Sequence, residues 1–191
     1  MILILGMSGA GKDTYAMLLK EELEKRGFPS GGVLSYTTRP RRTASEDTHI
    51  FISTEEAALL TDRVAETTIN GNLYFATRKQ VQEAAYYIID PDGLYELCRR
   101  MPDEKFDVIY IVASEKVRMI RAMSRGNGAK EAEVFQKRAQ DEKERFEAFF
   151  QKVFIDHIRP QNIRTAITFV NEGGLEELKN RVSNHINALC C

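Results

Sequence analysis

The chain predicts an α/β fold: three layers, α/β/α, around a central parallel sheet, with a small mixed α/β insert and a helical lid. Three observations carry this expectation. Short β-rich runs alternate with helical stretches along the whole chain. The run Val108-Ile109-Tyr110-Ile111-Val112 is apolar on both faces, as a parallel strand covered by helices on each side must be. Segment 36–80 departs from this pattern: its β-rich runs are shorter and more polar, and Asn70-Gly71 stands between β-prone residues as a hairpin signal. The expected organisation is one domain, with a core over about 1–35, 81–124 and 139–191, an insert over about 36–80 and a lid over about 125–138.

Strands are expected at 2–5, 33–36, 50–53, 63–69, 73–76, 85–90, 107–112 and 165–170. Helices are expected at 12–26, 54–61, 78–84, 92–100, 114–124, 130–150 and 174–188. Gly126-Asn127-Gly128 interrupts two helical patterns and reads as the hinge of a flap.

The first strand, Ile2-Leu3-Ile4-Leu5, runs into Gly6-Met7-Ser8-Gly9-Ala10-Gly11-Lys12-Asp13-Thr14. This pattern is a phosphate-binding loop. Glycines allow positive φ and close approach of backbone N–H groups to phosphate oxygens. A helix starting near Lys12 adds partial positive charge, and Lys12 supplies a mobile cation. The residue after the lysine is Asp13 rather than Ser or Thr, and the hydroxyl comes one position later, on Thr14. Asp13 is therefore a candidate for holding Mg²⁺ or a water of its shell.

Composition narrows the function classes. Lys+Arg is 27 and Asp+Glu is 28, for a net charge of −1, which argues against a dedicated nucleic-acid binder. A nucleotide substrate needs only a local basic cluster. No apolar stretch is long enough to span a membrane. The three cysteines, Cys98, Cys190 and Cys191, do not make a secreted disulfide framework, so a reducing cytoplasm is the expected setting.

Four further constellations stand out. Arg39, Arg41 and Arg42 cluster after Ser35-Tyr36-Thr37-Thr38, where guanidinium forks suit phosphate; alone, the cluster also reads as a solvated loop. Tyr86-Tyr87-Ile88-Ile89 ends in Asp90-Pro91-Asp92, at the sheet edge that carries ligand groups in open α/β folds, although Asp-Pro-Asp also makes a turn and helix cap. Arg118, Arg121 and Arg125 precede the glycine break, with Arg138 beyond it; they read as a basic flap or as an exposed charged helix. Phe169-Val170-Asn171 ends a strand before a glycine turn, which by itself is an ordinary connection.

Taken together, residues 1–174 resemble the guanylate kinase family of P-loop nucleoside monophosphate kinases. The most specific piece is Ser35-x-Thr37-Thr38-Arg39-x-x-Arg42, which is similar to that family's monophosphate signature. The resemblance implies MgATP on the loop Gly6–Thr14, with Asn171 near its adenosine. It implies Arg39, Arg42 and Tyr74 on the acceptor phosphate, with His49 where the family has a tyrosine. Ser35 and Asp92 would face the guanine, and Asp90 would end the central strand and serve, with Asp13, as a candidate metal carboxylate. Lys12, Arg121, Arg125 and Arg138 would stabilise the moving phosphoryl group.

For the guanine-reading glutamate, the count back from Gly71 lands on Ala65. Glu66 reaches the same face only across a β-bulge, and Thr77 likewise meets the expected frame only with a shifted register. The family implies ATP-dependent phosphorylation of GMP or dGMP with Mg²⁺, no nucleic-acid or membrane partner, and a monomer or homodimer. A different acceptor base remains open, since Lys-Asp-Thr also resembles some phage-type deoxynucleoside monophosphate kinases. An inactive guanylate-kinase-like module that binds a protein is the alternative of another class.

Overall fold

The computed structural model describes residues 1–124 and 129–189. The expected hinge at 126–128, the candidate Arg125, and Cys190 and Cys191 lie outside the described residues. The elements follow in order as β1 (Ile2–Leu5), α1 (Lys12–Lys25), β2 (Tyr36–Thr37), β3 (Ile50–Phe51), α2 (Thr54–Leu59), β4 (Arg63–Ile69), β5 (Asn72–Thr77), α3 (Arg78–Glu83), β6 (Tyr86–Ile88), α4 (Pro91–Arg100), β7 (Phe106–Val112), α5 (Glu115–Met123), α6 (Ala129–Phe150), a π-helical stretch Gln151–Ile155, β8 (Ile163–Val170) and α7 (Leu175–Leu189).

Four strands form the core sheet in the order β6-β1-β7-β8, all parallel. Its two faces follow from alternation along each strand. Leu3 and Leu5 of β1, with Phe106, Val108 and Tyr110 of β7, pack under α4, α6 and the π-helical stretch. Ile4, with Ile109 and Ile111, packs under α1 and α7, beside Leu19, Leu178, Val182 and Ile186. The result is the three-layer α/β/α sandwich. The chain leaves β1 for one side of the sheet and returns on the other at β7, so a crevice opens beyond the carboxyl end of β1.

The second sheet has the order β3-β2-β5-β4, with β2 and β3 parallel and the remaining pairs antiparallel. It is not an isolated lobe. Val64, Ala65 and Ala76 share one apolar cluster with Leu3, Leu94 and Leu97 of the core. The expected strand at 33–36 is corrected: Val33 only donates its N–H to the Tyr86 carbonyl (2.9 Å), and the strand proper begins at Tyr36, in the second sheet.

Local capping sets the helix starts. Ser53 and Thr77 each close a capping box, with Glu56 and Gln80. Asp90 caps α4 ahead of Pro91 by accepting from the backbone of Asp92 and Gly93. Among the described residues, no helix is long and apolar enough to cross a membrane.

Candidate functional site

The phosphate loop takes the shape its glycines permit. Gly9 has φ +79°, and a Cβ there would stand 2.7 Å from the Arg118 carbonyl oxygen. Gly11 caps α1 at φ +101°, with the Asn171 amide nitrogen 2.4 Å from where its Cβ would be. Neither place admits a side chain. Ala10 is buried; its N–H donates to the Met7 carbonyl (3.0 Å), and its own carbonyl accepts from the Asn171 amide (2.8 Å). Lys12 donates to the Met7 carbonyl at 3.4 Å.

A cleft of about 550 Å³ opens beside the loop. Of the residues expected in a site, it gathers Gly6, Ser8, Lys12, Ser35, Arg39, Arg42, His49, Tyr74, Asp90 and Arg138. A second cavity of about 290 Å³ gathers Gly11, Thr14, Arg121 and Asn171, together with the Gly173-Gly174 turn. Arg121 is thus separated from Arg138. Its guanidinium holds the carbonyls of Asn171 (3.1 Å) and Gly173 (3.2 Å) and reaches the Ala10 carbonyl of the loop (3.4 Å).

In the insert, Arg39 forms a two-pronged pair with Glu46, at 2.7 and 3.3 Å. The Glu46 carboxylate also accepts from the Arg42 backbone N–H (2.6 Å) and the Thr48 hydroxyl (3.1 Å), with the Arg42 guanidinium a looser 3.9 Å away. These bonds, the Arg39 one foremost, hold the Glu46 carboxyl down at about 2, from an ordinary 4.5. Its folded value is the lower one, so the stabilisation is complete above pH about 4.5 and drains away as pH falls toward 2. Melting temperatures of wild type and Glu46→Gln are therefore expected to differ at neutral pH and to converge on acidification. A gap that stays constant with pH would show the pair to be energetically idle.

Arg42 sits among cations. Burial, then the nearby Arg138 and Arg39, push its guanidinium below the usual range, as expected of a like-charged cluster suited to an anion. His49 shares a proton with the Ser35 hydroxyl (2.9 Å) and stands edge-on to Tyr74. Burial and Arg39 push the imidazole down, which favours the neutral ring. Tyr87 lines the cleft with Ser35 and His49, its hydroxyl pushed upward by burial. Asp90 lines the cleft with a buried carboxyl pushed upward by burial, against the pull of its bonds to the backbone of Gly93 and Asp92.

Four expected residues stand elsewhere. The bulge anticipated in β4 exists: Val64 pairs with Ala76 and Thr67 with Tyr74, leaving Ala65 and Glu66 opposite Phe75. Ala65 takes φ +55°, so Ala65 and Thr67 line the cleft, while Glu66 turns away to Arg63 at 3.1 Å. Thr77 is spent on capping α3. Asp92 lies outside the cleft, paired with Arg145 at 3.4 Å. Asp13 is exposed and lines neither cavity, so its place as a metal carboxylate is not supported by position.

The cleft also holds residues that sequence reasoning missed. Asp141, Glu142, Arg145 and Phe146 come from the same helix as Arg138, and Thr67 comes from the bulged strand. The buried Arg118 donates to the Ser8 carbonyl (3.3 Å) and stiffens the loop from behind. For α6 a signal existed. Phe135, Ala139, Phe146 and Phe149 are buried at helical spacing, and Arg138, Glu142 and Arg145 flank that stripe.

No protein-family model and no curated protein matches this chain. Solved structures do. A guanylate kinase from Anaplasma phagocytophilum aligns over 98% of this chain and 84% of its own, at 21% identity and a TM-score of 0.55. A sugar kinase from Janibacter sp. HTCC2649 aligns over 97% and 93%, at 16% identity and a TM-score of 0.50. The likeness is one of fold. The mixed α/β architecture with its central parallel sheet is shared with these kinases, while the chemistry of this chain rests on its own residues.

Proposed function

We propose that the chain transfers the terminal phosphoryl group of ATP to a nucleoside monophosphate. The observation that carries this is a single cleft that gathers Ser8 and Lys12 of the glycine-rich loop together with Arg39, Arg42 and Tyr74 of the insert. Two anion-binding groups in one cleft suit two phosphates brought end to end. An oxygen of the acceptor phosphate attacks the γ-phosphorus, a P–O bond to it forms, and the bond to the ADP oxygen breaks. The reaction needs alignment and charge neutralisation rather than a protein nucleophile. Lys12, Arg42 and Arg138 supply cations, and the second cavity, between Arg121 and Asn171, offers a place for the donor's nucleoside.

Mg²⁺ would enter on the nucleotide and add charge neutralisation between the phosphates. Such a metal would be held chiefly by phosphate oxygens and water, with few protein ligands. Asp90, Asp141 and Glu142 are the carboxylates lining the cleft, and of these Asp90 is our candidate to receive one of its waters.

GMP or dGMP is the leading acceptor by resemblance, with Ser35, Asp90 and Thr67 as the polar groups available to the base. The position of Ala65 favours a second reading, a different acceptor base, because β4 presents no carboxylate to the guanine N1–H and N2–H₂ edge. ADP release with GMP, dGMP, AMP, CMP and dTMP decides between them, and absence of turnover on all five would sink both. Glu66→Gln is expected to leave the GMP-to-AMP ratio of kcat/KM within about twofold of wild type, as for other surface changes. A collapse of that ratio would return Glu66 to the base site.

A further inference from the structure

The carboxylate seated on the phosphate loop comes from another element. Glu142, in the middle of α6, accepts the Ser8 backbone N–H at 2.7 Å and the Ser8 hydroxyl at 2.6 Å, one on each oxygen. Both distances are those of charge-assisted bonds. A backbone N–H in a glycine-rich loop ahead of a helix is the donor such loops offer to phosphate. Lys12, Arg138 and Arg145 line the same cleft. A carboxylate therefore takes the position of an anion on the loop's own donors.

We infer that Glu142 is a displaceable internal competitor for the phosphate loop, a latch that a polyphosphate must open before it can bind. This rests on reading the loop as the donor-nucleotide site. The latch has a defined thermodynamic signature. If the latched state is favoured by a factor K, every ligand that needs the Ser8 donors binds more weakly by 1 + K, whatever its base. A ligand held only by Arg39 and Arg42 is unaffected. Opening also frees the middle of α6 from the loop, so polyphosphate binding and the position of Arg138 become linked. The same contact satisfies the Ser8 N–H and hydroxyl.

A metal-holding role for Glu142 makes the opposite prediction, because removing the carboxylate would then weaken nucleotide binding with Mg²⁺ and leave it unchanged without.

Titration calorimetry of the full chain with tripolyphosphate and with ATP, both in EDTA, tests the latch in wild type, Glu142→Ala and Glu142→Gln. Glu142→Ala is expected to bind both ligands about tenfold tighter, by the same factor for each. Glu142→Gln, which keeps shape and loses charge, is expected to shift in the same direction by less. Thermal melts confirm that each variant is folded, and the isosteric Gln variant carries the test if the Ala variant is not. Unchanged or weaker binding in the folded variants overturns the latch while leaving the donor site in place. If neither ligand binds wild type or variants in EDTA, the latch is overturned, and if MgATP also fails to bind, the loop is not a donor site and the proposed function falls with it.

Discussion

Lys12→Ala is expected to lower kcat by about a hundred- to a thousandfold at saturating MgATP, the usual loss when one preorganised charge is removed from a developing transition state. The fold should persist. Lys12 is half-buried, and its hydrogen bond to the Met7 carbonyl is long, at 3.4 Å, so the change in unfolding free energy stays within about 1–2 kcal/mol. The glycine geometry that shapes the loop is independent of this side chain. Turnover near the wild-type level in a folded Lys12→Ala protein would mean that the transferring group does not sit on this loop.

Arg42→Ala should act on the other substrate. Loss of a guanidinium from a partly desolvated phosphate site costs about 2–5 kcal/mol of binding. The effect should appear in acceptor affinity and leave ATP affinity nearly unchanged. Arg42 is a cleaner probe than Arg39, because Arg39 is committed to Glu46 at 2.7 Å and its removal would also strand a carboxylate. An equal loss for both nucleotides would show that the cluster is not a separate acceptor site.

The layers of the fold were legible because their signals are strong and local. The core strand β7 carries an uninterrupted apolar run over Val108–Val112, and it and β1 alternate between two helix layers. The two-residue strands β2 and β3 are too short to show a period, which is why 33–36 was assigned to the wrong place. The loop Gly6–Thr14 was readable because few other sequences serve its backbone. The part of the cleft formed by β4 was not, because one residue decides it: a non-glycine at positive φ, Ala65, reverses which of two neighbours faces the cleft, and alanine carries no mark of that conformation. Glu142 was missed for the opposite reason. It stands in the run Asp141-Glu142-Lys143-Glu144-Arg145, where every side chain reads as solvated. Glu46, which organises Arg39 and Arg42, is hidden in the same way next to Asp47.

Helix α6 carries its largest anchor at its C-terminal end, while Phe135, under the Arg118 guanidinium at 5.5 Å, and Ala139 are buried farther along it. Phe146 and Phe149 are locked into a ring cluster with Tyr110, whereas Arg138 and Glu142 reach toward the cleft. A rotation about that ring cluster, with Phe135 sliding against α5, would make the helix a lever. From Phe149 back to Arg138 is eleven residues, an arm of about 16 Å at 1.5 Å per residue. A tilt of about 10° at the aromatic fulcrum sweeps the Arg138 end through roughly 3 Å and Glu142 through roughly 2 Å. The second figure is enough to break a hydrogen bond, and the first is enough to carry a guanidinium from one phosphate oxygen to the next. A small rotation in the oily interior is thereby geared up into a displacement of charge at the rim, with no unfolding of the shaft between them.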